Sequence, residues 1–136
     1  MPPPNGHSGS KAAWTRIERP LIAVDAVIGA FAKEHDLACS ANYHNWPERS
    51  LVWGGAVRRL IQIYLESEEH LTYRVWLCAS RDREGKRYWK QENLRVGLSP
   101  EQLKAELPTL LDRAYAKVNA WQEASLEIAT EVSARK

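Results

Sequence analysis

Two segments, Arg59-Leu60-Ile61-Gln62-Ile63-Tyr64-Leu65-Glu66 and Leu71-Thr72-Tyr73-Arg74-Val75-Trp76-Leu77-Cys78-Ala79-Ser80, carry the alternation that decides the fold. Ile61, Ile63 and Leu65 fall on one side of the first segment, and Tyr73, Val75 and Leu77 on one side of the second. That is the period of two expected of strands with one buried face. The two apolar sets share a face only if paired positions sum to an even number. This calls for an odd loop, of three or five residues, around Ser67-Glu68-Glu69-His70. The opposite side holds Leu60, Gln62 and Tyr64 from one strand and Arg74, Trp76 and Cys78 from the other, so it is mixed in character rather than plainly polar.

Working outward, Asp82-Arg83-Glu84-Gly85-Lys86 has Asp at a turn start and Gly at a left-handed position, which predicts a bulged three-residue hairpin into a strand over Arg87 to Leu94. Its bulge leaves open whether Tyr88, Lys90 and Glu92 or Trp89, Gln91 and Asn93 join the side of Trp76. Upstream, Ser50 to Trp53 reads as a short strand ending at Gly54-Gly55. Cys39 to Arg49, with Ser40, Asn42, Asn45 and Pro47, reads as a loop. Leu21, Val24, Ile28, Phe31 and Ala32 recur at spacings of three and four, predicting one amphipathic helix from about Arg19 to His35 with Pro20 in its first turn.

Downstream, Ser99-Pro100-Glu101-Gln102 is a helix start, with Ser99 as N-cap and Gln102 completing a capping box. Leu107, Leu111, Ala114, Val118, Trp121, Ser125, Ile128 and Val132 then form a heptad-like seam widened by Leu103 and Leu110, with Pro108 either interrupting the helix or beginning a second one. Residues 1–12, rich in Pro, Gly and Ser, read as a disordered tail, and 13–136 as a single domain. The expected architecture is α+β in the order α-β-β-β-β-α: a four-stranded antiparallel meander with the N-terminal and long C-terminal helices on one face.

The 136 residues are 44% hydrophobic and 26% charged with a net charge of +2, which fits one ordinary domain and excludes a disordered chain. No apolar run approaches the ~18 residues of a membrane span, so no membrane partner is expected. The first ten residues lack the apolar centre of a signal peptide. Cys39 and Cys78 are too few for a disulfide scaffold and point to a reduced, cytoplasmic protein in which both are small buried residues. The positive excess lies on residues 58–95, with 9 Lys+Arg against 6 Asp+Glu. There Arg81, Arg83, Lys86, Arg87 and Lys90 surround one hairpin, a pattern that suits either phosphate contact or protection of a sheet edge.

No catalytic pattern is present. His35, Cys39 and His44, with Cys78 able to approach, lack the paired short spacings of a zinc site, and His35 fits a helix C-terminus; no metal or cofactor is expected. Gly54-Gly55 lacks the further glycines and lysine of a phosphate loop, and no nucleophile has a base at a telling spacing.

The reading is therefore a non-enzymatic protein-interaction domain of unknown pathway. Its partner is another protein or a second copy joined through the C-terminal helix and the aromatic sheet face, at Trp76, Trp89, Val118, Trp121 and Ile128. Residues 109–134 as helix would run about 39 Å, against about 19 Å for four strands side by side, and the surplus needs a partner. One alternative is a single-stranded nucleic-acid binder using Tyr64, Arg74, Trp76, Arg87, Tyr88 and Lys90. The other is a ligand site or enzyme at Tyr43, His44, Trp46, Glu48 and Arg49. Over roughly residues 71–120, the hairpin followed by the Ser99-capped helix resembles the positive-cofactor-four type of single-stranded DNA-binding domain. That resemblance implies a curved four-stranded sheet and a dimerising C-terminal helix.

Overall fold

In a computed structural model the chain is described over residues 11–43 and 46–128. The strands form one antiparallel meander, β1 (Ala38–Tyr43), β2 (Trp46–Gly54), β3 (Arg58–Ser67), β4 (Thr72–Arg83), β5 (Lys86–Leu98) and β6 (Glu127–Ile128), each beside the next. Helices α1 (Lys11–Ile22), α2 (Asp25–His35) and α3 (Pro100–Ala120) cover one face. The class is the expected α+β meander with helices at both ends, but the sheet has six strands rather than four.

The extra strand at the front comes from the segment expected to be a loop. Pro47 is tolerated because it lies at the start of β2, ahead of the first pairing with β3 at Glu48↔Tyr64. Asn42 sits in the left-handed region, at φ 58, and bulges β1 between Ala41↔Arg49 and Tyr43↔Trp46. Residues 44–45, including the expected site residue His44, lie outside the described residues.

The expected apolar stripe is buried as read: Leu21, Val24, Ile28, Phe31 and Ala32 all face the core. It is carried by two helices, however. Pro20 belongs to the last turn of α1, and the chain re-enters helix at Asp25. Backbone bonds Val24 N–H to Leu21 O (3.0 Å) and Ile28 N–H to Val24 O (3.0 Å) keep the helical sense across the break, which is why the stripe stays in phase. Lys11 and Ala12, expected in the tail, already belong to α1. Residues 1–10 lie outside the described residues.

Parity holds between β3 and β4, where Ile61 faces Leu77 and Ile63 faces Val75. The means differ from expectation. The loop between Ser67 and Thr72 has an even length, and an irregularity between Leu65 and Ser67 restores the register. At the next hairpin Arg83 pairs with Lys86, and Glu84 (φ 54) and Gly85 (φ 78) are both left-handed. That is a two-residue type I′ turn, not a bulged three-residue loop. It sets Trp76 opposite Asn93 and Cys78 opposite Gln91, so Trp89, Gln91 and Asn93 join the side of Trp76, and Tyr88, Lys90 and Glu92 face the helices.

Helix α3 begins with the predicted capping box, Ser99 Oγ accepting from Gln102 N–H while Gln102 Oε1 accepts from Ser99 N–H. It runs unbroken through Pro108, which is exposed, so the carbonyl left without its donor can turn to water. The helix stops far short of the seam's expected end. The Arg59 guanidinium donates to the carbonyls of Val118 (2.5 Å) and Trp121 (3.0 Å), supplying the donors and positive charge that a helix C-terminus lacks. The chain then turns back, buries Leu126, and pairs Glu127 and Ile128 with β5. Val132 lies outside the described residues. No helix among the described residues is long and apolar enough to cross a membrane.

Candidate functional site

Because alternate residues of a strand point to opposite faces, the sheet displays on its helix-free side three rows of side chains running across the strands. One row is Glu48, Tyr64 and Arg74; the next is Ser40, Ser50, Gln62, Trp76 and Asn93; the third is Val52, Leu60, Cys78 and Gln91. No described helix covers them.

A groove of about 550 Å³ lies over the first two rows, lined by Gln62, Tyr64, Arg74, Trp76, Gln91 and Asn93. Its floor is held by side-chain bonds. Trp76 Nε1–H donates to Gln91 Oε1 (3.1 Å), and Arg74 lies 6.0 Å from the centre of the Tyr64 ring and donates to Asn93 Oδ1 (3.4 Å). Glu66 pairs with Arg74 at 3.4 Å and accepts from Gly97 N–H at 3.0 Å. Burial pushes the Glu66 carboxyl up, but the Gly97 N–H and the Arg74 guanidinium outweigh it and hold the group below its ordinary range.

A second groove, of about 380 Å³, shares the Gln62 wall and runs over Ser40, Asn42, Glu48, Ser50, Val52 and Leu60 to Arg58. Glu48 is only 6% exposed. Its Oε2 accepts from both Ser50 Oγ (2.5 Å) and Gln62 Nε2 (2.5 Å).

The structure divides each expected residue set. Of the partner-binding set, Trp76 and Trp89 are half-buried on the open face, whereas Val118 (0% exposed) and Trp121 (8%) are packed in the chain's own core. Ile128 is 41% exposed on β6. Of the nucleic-acid set, Tyr64, Arg74 and Trp76 are together. Tyr88 packs under Arg83 (5.6 Å) and Lys90 over Trp121 (5.3 Å), on the helix side, and Arg87 is paired with Asp82 at 2.8 Å near the hairpin tip. Of the 43–49 set, Glu48 faces the open side, Arg49 faces the helices, and Trp46 donates its Nε1–H to Leu65 O (2.8 Å). The Tyr43 side chain, like His44, is outside the described residues.

Among the described residues no three of His, Cys, Asp and Glu come together to hold a metal ion. His35 ends α2 and stacks between Phe31 (4.4 Å) and Tyr115 (4.3 Å). Neither cysteine is in a disulfide among the described residues, and Cys78 is buried as expected but Cys39 is exposed on the outermost strand. Glu48 was expected only in the 43–49 set and Gln62, Gln91 and Asn93 only as residues of the sheet's second side, so Ser50 and the grouping of Glu48 with Ser50 and Gln62 were missed from sequence. The i, i+2 spacing of Glu48 and Ser50 is their signal, and it becomes readable only once the strand is known to begin at Trp46. No protein-family model matches the chain, and neither a curated protein nor a solved structure does. The resemblance to the positive-cofactor-four domain therefore gains no support from any structural likeness.

Proposed function

We propose that this chain is a non-enzymatic protein-interaction domain that takes its partner on the open face of the sheet. The observation that carries the reading is the grouping of Trp76, Tyr64 and Arg74 at the centre of a groove that no described helix covers, with Gln62, Gln91 and Asn93 around them. Trp, Tyr and Arg are the residue types that dominate binding energy at interface centres, and a polar rim around them excludes water. Holding Arg74 against Tyr64 and Glu66, and Trp76 against Gln91, also fixes rotamers before a partner arrives, which lowers the entropy lost on binding.

The helical half of a homodimer interface loses its basis, because Val118 and Trp121 are spent inside the chain. The aromatic half keeps it. Single-stranded nucleic acid is the weaker reading: Tyr88 and Lys90 face away, and Arg74 and Arg87 are matched by Glu66 and Asp82, leaving the face without the positive excess that phosphates demand.

The test is to compare wild type with an Arg74→Ala/Trp76→Ala variant, first by light scattering and then as baits in an extract. A mass of twice 15.5 kDa that falls to 15.5 kDa in the variant names a second copy as the partner. A monomer that recovers a protein lost by the variant names a foreign one. Monomers recovering identical sets would contradict the proposal.

A further inference from the structure

Glu48 combines two properties that seldom coincide. Its side chain is 6% exposed, yet among the described residues it makes no ion pair. A buried charge without a counter-charge is costly. Both hydrogen bonds of its carboxylate fall on one oxygen, Oε2, from the Ser50 hydroxyl and the Gln62 amide. The other oxygen, Oε1, accepts none and is not sealed from solvent, since the only described side-chain atoms both buried and unpartnered are Arg74 Nε and Arg81 Nε. The neighbouring cation cannot serve it: the Arg49 guanidinium lies on the other side of the sheet and is committed to Asp25, Glu18 and Asn42.

We propose that the groove over Glu48 reads a lysine side chain presented by the partner, with Oε1 accepting from its ammonium. This rests on the open face being the docking surface and names what is presented there. The group must be cationic, because what the site lacks is a counter-charge. It must also be compact. A guanidinium binds carboxylate best through both oxygens at once, and Ser50 and Gln62 already hold one of them; an ammonium needs a single free acceptor. Bent over Ser50 and Gln62, the carboxylate lies about one side-chain row, or ~6.6 Å, from Val52 and Leu60, apolar residues on which a four-carbon stem can lie with its charge at Oε1. Arg58 lines the far end and is exposed, so the groove is negative at one end and positive at the other, and a bound segment is given a direction.

The experiment follows the side-chain amide resonances of Gln62 in ¹⁵N-labelled full-length protein during titration with four small probes. These are Nα-acetyl-lysine methylamide, its Nε-acetylated neutral analogue, Nα-acetyl-arginine methylamide and glycine methylamide. The expected result is a saturable shift with the lysine probe, at a Kd on the order of millimolar, at least about five-fold weaker binding of the arginine and glycine probes, and no shift with the neutral analogue. Glu48→Gln, which keeps an acceptor for Ser50 and Gln62, removes the response while the melting temperature holds or rises. Absence of saturation, or a response that survives Glu48→Gln, overturns the proposal. Equal binding of glycine methylamide overturns the lysine assignment in favour of a free amine. A silent titration alongside a partner that still depends on Trp76 sinks the lysine site alone. A lysine response in Glu48-intact protein whose partners ignore Trp76 and Arg74 instead sinks the wider reading of the open face.

Discussion

Glu48 and Arg49 are neighbours on β2, both charged and both nearly inaccessible, at 6% and 4% exposed, yet they belong to opposite faces of the sheet and to opposite economies of hydrogen bonding. Arg49 uses all five guanidinium donors: Nε and Nη2 on Asp25, Nη2 also on Glu18, and Nη1 on Asn42 and the Glu48 carbonyl. It ties β2 to α1, α2 and the bulge of β1. Burial works against its charge, but Asp25 and Glu18 outweigh that and make the cation harder to deprotonate than usual. Glu48 has two neutral donors on one oxygen and none on the other. A saturated buried charge is what a scaffold needs, and an unsaturated one beside a groove is what a recognition surface needs. The comparison teaches that burial alone does not tell the two groups apart, whereas the partners each one holds do.

The sharpest way to break that comparison is Arg49→Met. It leaves Glu18 and Asp25 facing each other without their cation, and a loss of about 3 kcal/mol is expected in urea unfolding, the lower end of the range for broken buried pairs because Asp25 is half-exposed and can rehydrate. Tyr73→Phe comes next. The Tyr73 hydroxyl donates to the carbonyl of Ile17 (2.5 Å), tying β4 to α1, and losing this buried bond is expected to cost about 1–1.5 kcal/mol. Burial also pushes this phenol well above its ordinary value. A folded-state pKa raised above the unfolded one gives stability that is intact below the unfolded value near 10 and declines as pH rises through the folded one. Wild type should therefore lose stability above about pH 10 more steeply than Tyr73→Phe, as unfolding curves at pH 8 and 11 would reveal.

On the other face the expected signs change. Glu48→Gln removes an uncompensated charge while keeping an acceptor for Ser50 and Gln62, and a gain of up to about 1 kcal/mol is expected, read as a raised urea midpoint. A clear loss of stability would place Glu48 with Arg49 as scaffold. The smallest effect is expected with an unstructured oligonucleotide at low salt: the matched charges of Arg74 and Arg87 predict no quenching of tryptophan fluorescence.

What was legible beforehand follows from the range of each signal. Period-two and period-3.6 patterns depend only on which side faces the core, so Ile61 to Leu65, Tyr73 to Leu77 and the Leu21 to Ala32 stripe were readable. The capping box was readable because its partners are three residues apart. Long-range facts were not. The stop of α3 at Ala120 depends on Arg59, about sixty residues away in the chain. β1 depends on pairing with a strand whose first residues include a proline. The face of Trp89 and Tyr88 turned on one residue of loop length at Glu84-Gly85. The open-face site inherits the last two, which is why its aromatic centre was foreseen while Glu48 was read into a separate loop set and its grouping with Ser50 and Gln62 was not.

The central claim is a division of labour, in which the helix side holds the fold and the open side is kept for a partner. The most direct test is urea unfolding of Arg74→Ala/Trp76→Ala beside Arg49→Met. The account predicts a loss for the double variant of no more than about 2 kcal/mol, clearly below that of Arg49→Met, with a cooperative transition retained. A double variant as destabilised as Arg49→Met would show that Trp76 and Arg74 hold the sheet together, and would contradict the claim.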